Sequence, residues 1–178
     1  MNKMKDMKYL LSVILIMCCS LLATAQISSI DVFTFFAELH MDVAAKRLTG
    51  DMGYKQGKWG YGDFFYKNTN IRMTVNNGKK VPNLSEPKSD AALVMLYKKS
   101  GTDYVGAIAQ VFKSKTIADK LVSDLKKNGY KSTHSSSNAS FKSWSYCHPE
   151  SKKKFILKYF ISTKEYVLLY SKYDYPFK

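Results

Sequence analysis

The sequence predicts an α+β fold in which two amphipathic helices pack on one face of an antiparallel β-sheet, arranged as tandem helix-plus-three-strand repeats. Three observations carry this expectation. Two stretches place apolar residues three and four apart, and several short β-branched and aromatic runs are bounded by turn residues. Matching segments also recur at a nearly constant separation. The chain has 178 residues, 46 % of them hydrophobic and 24 % charged, far from the profile of a disordered chain. That length allows one domain or two small ones.

Lys3, Lys5 and Lys8 precede an apolar stretch over residues 9–22, which gives way to Ala23, Thr24 and Ala25. The pattern is that of a secretory signal peptide. The stretch is shorter than the ~20 residues a spanning helix needs, and small residues suit signal peptidase. We therefore expect cleavage between Ala25 and Gln26, export to the periplasm or beyond, and one α+β domain over residues 26–178 with no membrane span. A lipoprotein is a poorer reading, because bulky Met17 or Cys18 would stand just before the lipidated cysteine. Cleavage would leave Cys147 as the single cysteine, so the core needs no disulfide, and Cys147 reads as a small buried hydrophobe. Cys147 and His148 are adjacent, and on a strand their side chains would point to opposite faces and share no proton.

The first helix is read from Phe33, Phe36, Ala37, Met41, Ala44 and Leu48, with Gly50 as its end. A strand follows in Ile71, Met73 and Val75, alternating with Arg72 and Thr74 before the turn pair Asn77-Gly78. Residues 91–97 and 104–112 are apolar runs separated by a short polar connection, and pair most simply as a central hairpin. The second helix places Ile117, Ala118, Leu121, Val122 and Leu125 on one face, with Ser114 or Thr116 as its cap and Gly129 at its end. Residues 141–147, 155–162 and 166–173 complete an antiparallel meander.

Gly53-Tyr54-Lys55 recurs as Gly129-Tyr130-Lys131, 76 residues on, and Phe65 matches Phe141 at the same offset. The hexapeptide at 94–99 matches the one at 167–172, 73 residues on, with four of six positions identical. These offsets predict pseudo-repeats at about 30–100 and 104–175. Secreted inhibitors of the β-lactamase inhibitor type and TATA-binding-protein-like folds have tandem helix-plus-sheet units. The chain carries no motif of either, so the analogy implies architecture alone.

No Gly-rich phosphate loop, paired-cysteine spacing, His-x-x-x-His or Gly-x-Ser-x-Gly frame is present, so we expect no metal and no cofactor. His40 reads as a partly buried member of the first helix, and His134 as solvated in a serine-rich loop. Glu38 and Asp42, four apart, would share a solvated helical edge. Asn138-Ala139-Ser140 matches a glycosylation acceptor, a tripeptide common by chance.

What remains is charge. The formal net charge is +14, and residues 26–178 carry 25 basic against 13 acidic residues. Residues 26–100 hold +4 of this excess and residues 101–178 hold +8, so the second half is the more basic. Such a field favours anionic partners. Only Arg47 and Arg72 could supply bidentate forks there, which argues against sequence-specific nucleic-acid reading. The candidate contact residues are Lys55, Lys58, Trp59 and Tyr61 in a flexible glycine-rich loop over residues 55–62, and the run Lys152, Lys153 and Lys154 between two strands. Aromatic rings beside cations suit an anionic envelope polymer or an acidic protein. The expectation is a monomeric, exported, non-enzymatic binding module with no catalytic residues. The alternatives are an inhibitor or structural partner of another exported protein, or an envelope-polymer hydrolase drawing on His40, Glu38, Asp63 or His148.

Overall fold

The computed structural model describes residues 25–60, 62–76, 78–151 and 153–171. Of the proposed leader over residues 1–25, residues 1–24 lie outside this range. The described residues form an α+β structure with a large antiparallel sheet and three α-helices. In chain order these are α1 (Ile30–Phe36), α2 (Met41–Lys46), β1 (Lys55–Trp59), β2 (Gly62–Lys67), β3 (Asn70–Asn76), β4 (Lys79–Ser85), β5 (Ala92–Lys98), β6 (Val105–Phe112), α3 (Lys115–Lys127), β7 (Lys131–Ser137), β8 (Phe141–Cys147), β9 (Lys154–Phe160) and β10 (Glu165–Ser171). Eight strands form one sheet in the order β1-β2-β5-β6-β10-β9-β8-β7, and β3 with β4 forms a separate hairpin. Among the described residues, no helix is long and apolar enough to cross a membrane.

Alternation along each strand divides the apolar side chains into two clusters. Ala92, Val94 and Leu96 of β5, Phe155 and Leu157 of β9, and Leu168 and Tyr170 of β10 join Phe33, Phe36, Ala44, Leu121 and Leu125 of the helices. The intervening residues Leu93, Met95, Ala109 and Val111 join Phe64 and Leu84 on the other side. The β3–β4 hairpin packs against β1, β2 and β5 and adds Ile71 and Leu84 to that second cluster.

Helix α3 begins and ends where its sequence predicts. Ser114 Oγ accepts from the Ile117 amide at 3.2 Å, and Gly129 takes a φ of 79° just past the end. The first helix differs from its expectation. It is interrupted at residues 37–40, and His40 lies in extended conformation, bridging Tyr104 rather than sitting within a helix. The Met41 amide donates to the Asp103 carbonyl at 2.8 Å and the Val105 amide to the Leu39 carbonyl at 2.9 Å. Pairing with the β5–β6 connection therefore outcompetes helical continuity. Glu38 and Asp42 consequently do not share one helical face. After α2 the chain widens into a π-helical turn over Arg47–Asp51, and runs past Gly50 to Gly53, whose φ is 68°.

The 55–62 segment is not a loop. Its two ends belong to the β1 and β2 edge hairpin, and the Ser-rich segment around His134 is edge strand β7. The Gly57 Cα lies beneath the Phe64 ring, and a Cβ there would stand 2.1 Å from Phe64 Cζ. Glycine is needed at this position so that the ring can lie flat on the edge strand.

Candidate functional site

The face of the sheet away from the helices is half covered. The β3–β4 hairpin lies over β1, β2 and β5, and beside it a trough of about 210 Å³ remains, lined by Met95, Tyr97, Ala109, Ile156, Lys158, Phe160, Val167 and Leu169. Its floor is low because β6 contributes Ala109 between Met95 and Leu169, to which it pairs on either side. Large residues on the flanking strands form the walls.

Strand register carries one row of residues across this face. Trp59 pairs with Gly62, Gly62 with Tyr97, Tyr97 with Ala107, Ala107 with Ser171, and Ser171 with Lys154. Trp59 and Lys154, 95 positions apart in the chain, thus stand at one level on one face, about 24 Å apart at ordinary strand spacing. Trp59 meets Tyr97 edge to face, with ring centroids 5.7 Å apart. Burial pushes the Tyr97 phenol up to about 12, so it remains a neutral hydroxyl across the ordinary pH range. On β9 the same face bears Lys158, whose Nζ lies 5.3 Å above the Phe141 ring. Ser143 and Ser145 of β8 are buried beside Lys158 and Ile156 in register.

The predicted contact residues divide by face. Lys55 is in register with Tyr66 on the trough side, and Lys154 lies on that side with Trp59. Lys58 pairs with Asp63 and points to the helical side. Lys153 leaves the sheet, where its carbonyl accepts the His148 amide at 3.0 Å. It borders a separate polar cleft of about 330 Å³ with Asp31, Tyr130 and His148. Tyr61 and Lys152 lie outside the described residues. Tyr97, Lys158, Ala109, Ser143 and Ser145 were not read from the sequence as site residues. The alternation within residues 154–160 is the signal that could have found Lys158, since it puts Lys154, Ile156, Lys158 and Phe160 on one face.

Charge is unevenly spread over the elements. The ten strands carry eleven Lys or Arg and two Asp or Glu, whereas the helices with the π-turn carry six and five. Six of these helical charges form i,i+4 pairs: Arg47 with Asp51 at 3.7 Å, Lys115 with Asp119 at 2.6 Å and Lys120 with Asp124 at 3.1 Å. Lys98 holds the exposed Asp103 carboxyl, in the β5–β6 connection, below its usual range through a hydrogen bond and its charge. Of the two strand acids, Asp63 faces the helical side, and Glu165 lies at the far end of β10 beside Phe160.

His40, His148 and Cys147 each meet separate partners. His40 lies 3.9 Å from Tyr104 between ring centroids. His148 Nδ1 accepts the Ser151 amide at 3.2 Å while its ring meets Tyr130 at 5.3 Å. Cys147 is half-buried, with Sγ 3.7 Å from the His148 carbonyl rather than near its ring nitrogens. Among the described residues, no group of three or more His, Cys, Asp or Glu is placed to hold a metal ion. No protein-family model and no curated protein matches this chain.

Proposed function

We propose that the protein is an exported, non-enzymatic binding module whose open sheet face holds an anionic component of a bacterial envelope. The observation that carries this reading is the coincidence of one apolar trough with Lys154, Lys158 and the Trp59–Tyr97 pair on a face free of carboxylates from the Trp59–Lys154 row to the Lys158 row. Apolar floor, ring edge, hydroxyl and cation together suit an acylated acidic glycan such as lipopolysaccharide, with acyl groups in the trough and phosphates or carboxylates at the lysines. An acidic protein partner would use the same cations and has less need of the trough.

We further propose that the two halves arose by tandem duplication, which two likenesses support. Gly53 and Gly129 both take positive φ after a helical segment, and Tyr54 and Tyr130 that follow are both buried, each leading into an edge strand through Lys55 or Lys131. The matched hexapeptides lie on β5 and β10, which flank β6, yet Val94 faces the helices and Val167 the trough. The shared cluster of helical and strand residues supports helices on a single sheet face. A monomer is the simplest state, with the trough left to its ligand.

The test is a salt titration of residues 26–178 binding lipopolysaccharide and acidic glycans. We expect tightest binding to the acylated anion, affinity that falls with salt, and about tenfold weakening in Trp59→Ala and in the double variant Lys154→Ala, Lys158→Ala. Absence of binding to any of these polymers at physiological salt overturns the reading.

A further inference from the structure

The chain around the proposed cleavage bond is among the most firmly held parts of the fold. Ala25, Gln26 and Ile27 are 2 %, 3 % and 0 % exposed. The Gln26 carboxamide donates to the carbonyls of Ser89 at 2.8 Å and Ala91 at 3.1 Å. Gln110, fully buried at the middle of β6, accepts from the Ile27 amide at 2.7 Å and donates to the Ile27 carbonyl at 3.1 Å. The Tyr54 hydroxyl donates to the Ala25 carbonyl, and Lys120 Nζ to the Ser28 carbonyl at 2.5 Å. A buried glutamine with both ends of its amide committed to one backbone residue is a specific device, since either group left unpaired there would be costly.

Each of these partners lies downstream: Tyr54 before β1, Ser89 and Ala91 before β5, Gln110 on β6 and Lys120 on α3. The socket therefore exists only after the sheet and α3 have assembled. In an unfolded chain the Ala25–Gln26 bond is open to a peptidase, which must hold several residues in extended form. In the folded chain the carbonyl to be attacked is bonded to Tyr54 and shielded.

We propose that residues 25–27 form a latch that couples leader removal to folding, so that the Ala25–Gln26 bond is cleaved before the fold closes on it and resists cleavage afterwards. The proposal rests on the signal-peptide reading. Hydrolysis consumes one water, breaks the Ala25–Gln26 amide, and leaves a carboxylate on Ala25 and an α-amine on Gln26. The new amine is generated next to the Tyr54 hydroxyl, while the Gln26 carboxamide and Ile27 keep their partners. Cleavage of the closed fold would have to wait for local opening, and its rate would follow the open population.

The experiment is one of order of addition, using the full 178-residue chain and a purified leader peptidase in detergent. Peptidase is added either at the moment of dilution from denaturant or after refolding is complete, and products are read by mass spectrometry. We expect cleavage at Gln26 when peptidase is present from the start, and at least tenfold slower cleavage when it is added late. Gln110→Leu, which abandons the Ile27 amide and carbonyl, should restore late cleavage towards the early rate. Tyr54→Phe, a milder change that keeps the ring, should do so in part and serves if the Gln110 variant does not fold. Equal rates for early and late addition of wild type overturn the latch while leaving the leader reading intact. No cleavage at Gln26 under either order overturns the leader reading and the latch with it.

Discussion

Along β5, Val94 and Leu96 point into a core closed by three helices, while Met95 and Tyr97, one residue away, border a trough left open beside the β3–β4 hairpin. The same strand thus serves two faces with different physics. On the helical face, large side chains are fully enclosed and six of the eleven helical charges form i,i+4 pairs. On the other face, apolar side chains are partly wet, and the charges from the Trp59–Lys154 row to the Lys158 row are of one sign. Closed packing with balanced charge contributes to stability, whereas open packing with unbalanced charge contributes to association.

The largest expected effect tests the first half of that contrast. Leu121→Ala on α3, at a fully enclosed position, should cost about 2 to 5 kcal/mol in denaturant unfolding. Leu169→Ala on β10, half-buried in the trough wall, should cost less than ~1.5 kcal/mol because its methyls are already partly exposed to water. Equal costs would mean that the two faces are equally closed, and the trough would lose its meaning as a site.

Alkaline titration sharpens the comparison with groups from both sides. Burial raises the phenol of Tyr54 on the helical side and pushes that of Tyr97 on the trough side up to about 12. Both phenols ionise near 10 in an unfolded chain, so the unfolded state releases protons first. The stabilisation is complete below pH 10 and is lost as pH rises towards 12, with Tyr97 accounting for roughly 2 to 3 kcal/mol. The chain has 13 tyrosines, so these two are read by difference: Tyr97→Phe and Tyr54→Phe should each remove phenolate absorbance only from the late part of the rise, above pH 10, with the Tyr54 share coinciding with loss of far-UV dichroism. Loss of absorbance at pH 10 in both variants, without unfolding of the parent, would show that neither ring is enclosed.

The contrast between faces also explains what the sequence reveals. Helix α3, the β5–β6 pair and strands β8 to β10 are legible because each buries a regular set of apolar residues, and burial writes period into sequence. Edge strands β1 and β7 bury little. Lys55-Gln56-Gly57 and Ser135-Ser136-Ser137 pair through backbone alone, and read as loops because their side chains carry no pattern. The break at His40 is invisible for a different reason: it is imposed by Tyr104 and Asp103, 64 and 63 residues away, which no local window contains. The site fares likewise. Trp59 and Lys154 each stand out as residues, yet their common row depends on the registers of five successive strand pairs. Lys58, adjacent to Trp59, falls on the opposite face for the same reason of alternation.

The smallest expected effect on stability is the most informative about function. Lys154→Ala with Lys158→Ala removes two cations from the trough face, and Lys126→Ala with Lys127→Ala removes two exposed cations from the end of α3. Each pair lowers net charge equally, and each should change stability by only about 0.5 kcal/mol, the scale of surface substitutions. If overall charge draws the protein to an anionic surface, the two double variants should weaken binding alike and flatten its salt dependence alike. If the trough face makes the contact, only the first should lose about tenfold in affinity, because only its ammonium groups come within a Debye length of the bound anion. We expect the second outcome, measured as binding to lipopolysaccharide vesicles across a salt series. Equal losses would reassign the lysines from a contact face to a general electrostatic field, and would leave the trough as an apolar feature with no anionic occupant.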